Sequence, residues 1–66
     1  MLHIRAERIK RDWTQEQVAQ QIGLTRTAVH DLEKGKQQPS YKILLKLEDL
    51  FELPHRQLFA VAADEQ

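Results

Sequence analysis

Sixty-six residues leave room for one small domain, in which ten Lys and Arg balance ten Asp and Glu to zero formal charge. A hydrophobic share of 41% is enough for a core and too high for a disordered chain, while only two Gly and two Pro argue against a turn-rich all-β fold. The lack of cysteine excludes a disulfide framework and a Cys-based zinc site, and no apolar run approaches a membrane span of roughly 18 residues.

The opening Met1-Leu2-His3-Ile4-Arg5 has no signal-like apolar stretch, so a cytoplasmic helical module without a membrane partner is expected. Residues 3 to 11 set Ile4, Arg8 and Ile9 among charges, which predicts a short amphipathic helix. Trp13 is expected to close it onto the next helix. Thr14-Gln15-Glu16-Gln17 has capping-box spacing: the threonine oxygen takes a backbone N–H, and Gln17 reaches back. Val18, Ala19 and Ile22 then form an apolar stripe, which Gly23 can end in a left-handed turn. Thr25 is the expected N-cap of a third helix, Arg26–Lys34, ended by Gly35. Gln37-Gln38-Pro39 reads as a loop. Ser40 caps a fourth helix running to Phe51, with Ile43, Leu44, Leu47, Leu50 and Phe51 at helical spacing. Leu53-Pro54 breaks the chain, and Pro54 or His55 opens a last short helix carrying Leu58 and Phe59. Residues 60 to 63 could extend that helix, fray or form a strand. The expectation is a single domain over 1–66, with a helical core over 2–59 and a tail over 60–66.

The second and third helices are joined by Gly23-Leu24-Thr25 alone. Two helices joined by a short Gly-containing turn are the helix-turn-helix layout, whose second helix enters the DNA major groove. The third helix fits that role at about 100° per residue. Ala28, Val29 and Leu32 fall in one arc, while Arg26, Thr27, His30 and Asp31 fall in another.

Thr14-Gln15-Glu16-Gln17-Val18-Ala19, Gly23-Leu24-Thr25-Arg26-Thr27, Leu32-Glu33-Lys34-Gly35-Lys36 and Pro39-Ser40 resemble the phage-repressor/Cro-like (XRE-type) helix-turn-helix family. Leu44-Leu45-Lys46-Leu47 and Leu58-Phe59 extend the likeness over about residues 4 to 59. The resemblance implies an all-α, five-helix, lambda-repressor-like domain that binds double-stranded DNA. By the same likeness, Arg26, Thr27 and Asp31 are candidates for base contacts; His30, on the same face, is a further candidate that flanks the groove. Thr14, Gln15, Thr25, Lys34 and Lys36 are candidates for phosphate contacts. Arg8 and Glu33 match positions that relatives use for an internal ion pair.

The chemistry of these side chains suits those roles. An arginine can bond guanine O6 and N7 together, a threonine methyl can meet thymine, and a carboxylate can accept from cytosine N4. Lysines neutralise phosphates without reading sequence, and a helix N-terminus attracts phosphate, which favours the Thr14–Gln15 end. Asp31 departs from the family pattern. It is either a base or water contact, or a partner of the helix N-terminal dipole or of Lys34. Asp12 and Glu52 stand where relatives often have Gly, so left-handed backbone there would cost about 1–2 kcal/mol each.

His3, His30 and His55 are scattered without a Cys partner, so neither a metal nor a cofactor is expected. No phosphate loop, nucleophile elbow or paired-acid constellation is present, and no enzyme is expected. DNA modules of this kind bind as two-fold dimers, so a homodimer is expected. Leu58, Phe59 and Val61, with the outer side of the fourth helix, are its candidate surface, unless Phe59 simply plugs the core. Two further readings are an antitoxin-type DNA binder that grips a protein partner, and a helical adaptor without DNA binding. The charge divides by position. Residues 1–36 hold seven basic and five acidic side chains, and residues 37–66 hold three and five, so the half with the helix-turn-helix is positive.

Overall fold

Three of the five described helices begin at a hydroxyl cap, and two of those end at a glycine. In the computed structural model, which describes residues 2–60, the helices are α1 (His3–Lys10), α2 (Gln15–Ile22), α3 (Arg26–Lys34), α4 (Tyr41–Phe51) and α5 (His55–Leu58). The Thr14 hydroxyl accepts from Gln17 N at 3.0 Å while the Gln17 side chain accepts from Thr14 N at 2.8 Å, completing a capping box. Thr25 and Ser40 cap α3 and α4 in the same manner, accepting from Ala28 N and Ile43 N. Gly23 and Gly35 end α2 and α3 in left-handed conformation, each at φ +76°. No helix among the described residues is long and apolar enough to cross a membrane.

Ile4, Val18, Ala19, Ile22, Val29, Leu47, Phe51 and Leu58 form the core, drawing on all five helices. Trp13 is half-buried and meets Phe51 edge-on, with ring centroids 5.3 Å apart, so it packs the α1–α2 corner onto α4. Leu2 N donates to Glu33 O and His3 N to Ala60 O, tying the amino end to the ends of α3 and α5.

The inward face of α1 differs from the expected one. Ile9 is exposed, and the buried positions are Ile4 and Glu7. Glu7 tolerates burial because it is paired: Arg11 Nη1 lies 2.6 Å and His3 Nε2 2.7 Å from its carboxylate. The Arg11 guanidinium holds the Glu7 carboxyl below its ordinary range, against burial, which raises it, with help from His3. Arg11 also donates to Phe51 O at 3.0 Å, satisfying a carbonyl at the C-terminus of α4 where a cation is favoured.

The last helix is shorter than a period-based reading predicts, since Phe59 is its C-cap rather than a helical residue. Pro54 has no side-chain donor or acceptor to cap it, and Glu48 of α4 does so instead, accepting from His55 N at 2.7 Å. That backbone N–H, followed by the His55 ring, lowers the Glu48 carboxyl from its ordinary range. Asp12 and Glu52 do adopt left-handed backbone, at φ 59° and 57°.

Candidate nucleic-acid interface

The turn between α2 and α3 is built by Gly23 and Leu24. Leu24 N reaches back to Ala19 O at 2.9 Å, and its side chain packs against the core. That anchors the entry to α3, and Thr25 then fixes its first turn. On α3, Val29 and Leu32 are buried, while Arg26 and Thr27 are exposed and His30 and Asp31 half-exposed. Arg26, Thr27 and His30 border one shallow hollow on the outer surface.

The Asp31 carboxylate has its neighbour beside it, with His30 Nδ1 3.6 Å from Oδ1. That separation is too long for a hydrogen bond. Lys34 and Lys36 are exposed on either side of Gly35, where Gly35 N bonds Leu32 O and Lys36 N bonds Asp31 O. The left-handed glycine therefore turns the chain so that both lysines leave the last turn of α3 into solvent. Thr14 and Thr25 are exposed and spend one hydroxyl lone pair each on capping; a hydroxyl still has its proton to donate.

Glu33, on the inner side of α3, is 2% exposed. Arg8 grips it with Nε at 2.5 Å and Nη2 at 3.2 Å, and Arg8 Nη1 donates to Trp13 O at 2.8 Å. Gln15 Nε2 completes the cluster, donating to Glu33 Oε1 at 3.1 Å. One carboxylate thereby fastens α1 and the start of α2 to α3. The Gln15 nitrogen faces inward here, so a phosphate contact through it requires the side chain to turn. Sequence reasoning missed this bond, because nothing in the local pattern links positions 18 residues apart.

The residues expected at a dimer surface divide. Leu58 has no exposed area and belongs to the core, so it is not offered to a partner. An apolar run near the chain end reads as surplus from sequence, whereas α5 folds back to pack against both α1 and α4. Phe59 is half-buried against the core, and Val61 lies outside the described residues. The outer side of α4 exposes Tyr41 and Leu45, one turn apart, at 73% and 44%. Among the described residues, no group of three or more His, Cys, Asp or Glu side chains is placed to hold a metal ion.

A helix-turn-helix family model matches residues 4–58. The chain belongs to the helix-turn-helix family. Two relatives from Archaeoglobus fulgidus, each described as an uncharacterized HTH-type transcriptional regulator, are 34% and 36% identical over 62 residues. Those alignments cover 94% of this chain and 87% and 89% of the relatives. A third, from Methanocaldococcus jannaschii and described in the same terms, is 35% identical over 52 residues, or 79% of each chain. No solved structure matches. The helix-turn-helix match spans α1 to α5, so it takes in the Arg8–Glu33–Gln15 cluster as well as the two helices that name the motif.

Proposed function

We propose that this helix-turn-helix protein is a DNA-binding transcriptional regulator that lays α3 in the major groove of an operator. The observation that carries the reading is the division of α3. Val29 and Leu32 fasten it to the core, and Arg26, Thr27, His30 and Asp31 face outward as one donor- and acceptor-bearing strip. The regulator names of the relatives support it. Arg26 and Thr27, in the first turn, meet base edges, since the N-terminal residues of such a helix do so. Lys34 and Lys36 meet phosphates, as do the Thr14 and Thr25 hydroxyls and the N-terminus of α2. The protein acts by occupancy rather than catalysis.

Two copies act together. Successive half-sites lie about 34–36 Å apart, more than the 31 Å longest dimension of one copy. The pairing surface is the outer side of α4, with Tyr41 and Leu45, together with Phe59.

Fluorescence anisotropy with operator duplexes selected from random DNA tests this. Affinity is expected to fall steeply with salt. Arg26→Ala relaxes preference at one base pair, and Lys36→Ala weakens all sequences alike and reduces the salt slope by about one. Absence of any enriched sequence, with binding indifferent to Arg26, refutes operator recognition. Sedimentation that finds only a monomer at high micromolar concentration, with and without DNA, refutes the pairing.

A further inference from the structure

The outward strip of α3 is defined in part by what it lacks. The helix Arg-Thr-Ala-Val-His-Asp-Leu-Glu-Lys contains neither Asn nor Gln, the side chains that pair with adenine N6 and N7 together. At the start of α2, Gln15 Nε2 is spent on the buried Glu33 and Gln17 Oε1 on the Thr14 N–H. Beside Thr27 and His30, the strip faces outward with one fork of donors, Arg26, and one acceptor-only group, Asp31.

Each of these selects the same base pair. The Arg26 guanidinium matches the paired acceptors O6 and N7 of guanine. Asp31 approaches a polyanion, where a base-edge donor can offset its charge. The major groove offers two, adenine N6 and cytosine N4. Beside adenine N6 lies the N7 lone pair, which repels a carboxylate; beside cytosine N4 lies a C–H. Asp31 therefore favours cytosine, and His30 at 3.6 Å stands on one side of its carboxylate. The two readers stand five positions apart, about 7.5 Å along a helix at 1.5 Å per residue, or about two base steps of 3.4 Å.

Resting on the DNA-binding reading above, we infer that α3 reads two G·C pairs about two steps apart in each half-site, a guanine through Arg26 and a cytosine through Asp31. Thr27 meets a thymine methyl or a phosphate between or beside them. No α3 side chain pairs adenine N6 and N7 together.

The experiment uses the full chain. Duplex DNA is selected from a random pool, and anisotropy then compares the best duplex with two altered ones. One carries 7-deazaguanine at the guanine, which removes only the N7 acceptor; the other carries A·T in place of the cytosine's pair. Each is expected to bind about 5- to 150-fold more weakly. Asp31→Asn is expected to move the preferred pair at the second position from C·G to A·T, because Asn suits adenine. Arg26→Ala is expected to relax the guanine position alone. Circular dichroism verifies that both exposed-face variants remain folded. An enriched sequence whose every position is indifferent to Asp31→Asn and Arg26→Ala overturns the inference and leaves DNA binding standing. Absence of enrichment together with absence of salt-dependent binding overturns both.

Discussion

Removing Arg8 is the sharpest test of how the helix-turn-helix is held. Arg8→Met keeps much of the aliphatic stem but deletes three donated hydrogen bonds, two to Glu33 and one to Trp13 O. Glu33, 2% exposed, then keeps only the Gln15 amide as a side-chain partner. Breaking a buried pair by removing one partner costs about 3–5 kcal/mol, because the remaining charge is stranded. A 66-residue domain has about 3–10 kcal/mol of stability in total, at 0.05–0.15 kcal/mol per residue. The variant should therefore be marginal. With a urea slope of about 1 kcal/mol per molar, its midpoint, followed by circular dichroism at 25 °C, should fall by about 3 M. Adding Glu33→Leu removes the stranded charge, and the double variant should recover at least about 2 kcal/mol relative to Arg8→Met. A loss below about 1 kcal/mol for Arg8→Met, or a double variant no more stable than the single, would refute the account of Glu33 as a buried, Arg-dependent fastener.

Acid should weaken the fold through Glu7 and Glu48, whose carboxyls titrate below the ordinary 4.5. The unfolded chain binds those protons first, so their contribution is complete above about pH 4.5 and is lost as pH falls through the folded values. Urea midpoints measured between pH 2.5 and 6 should show that decline, and Glu7→Gln should flatten it; an unchanged slope in that variant assigns the decline elsewhere. Asp12→Gly and Glu52→Gly should each stabilise by about 0.5–1 kcal/mol, the relief of left-handed strain exceeding the extra entropy of an unfolded glycine. Thermal melts that rise for neither variant would show that these positions carry no strain. Thr14→Ala should cost about 1 kcal/mol, with Thr14→Ser recovering most of it, since the hydroxyl is what accepts from Gln17 N; equal losses in both would point to the methyl instead.

What the sequence determined by itself is what neighbours within about four residues decide. The capping box at Thr14, the caps at Thr25 and Ser40, the left-handed endings at Gly23 and Gly35, and the two faces of α3 all depend on contacts of that range. So does the helix-turn-helix layout, because a three-residue connection leaves the two helices little choice. The candidate strip of Arg26, Thr27, His30 and Asp31 was legible for the same reason: its residues share a face once the helix is granted. Tertiary structure decided what reaches across the chain. It turned Gln15 inward to Glu33, 18 residues away, and set Arg11 on the Phe51 carbonyl, 40 residues away. It made Glu48 the cap of α5, buried Glu7 in place of Ile9 on α1, and drew Leu58 from the presumed surface into the core. Hydropathy along the chain sorts apolar from polar, and it misplaces Glu7 and Leu58. A charge can be buried when paired, as Glu7 is by His3 and Arg11, and only the folded chain shows that α5 closes the core. The balance of ten positive and ten negative side chains conceals the same point. Arg8, Arg11, Glu7 and Glu33 are spent on one another inside the fold, while Arg26, Lys34 and Lys36 remain outside it, on the face proposed to meet DNA.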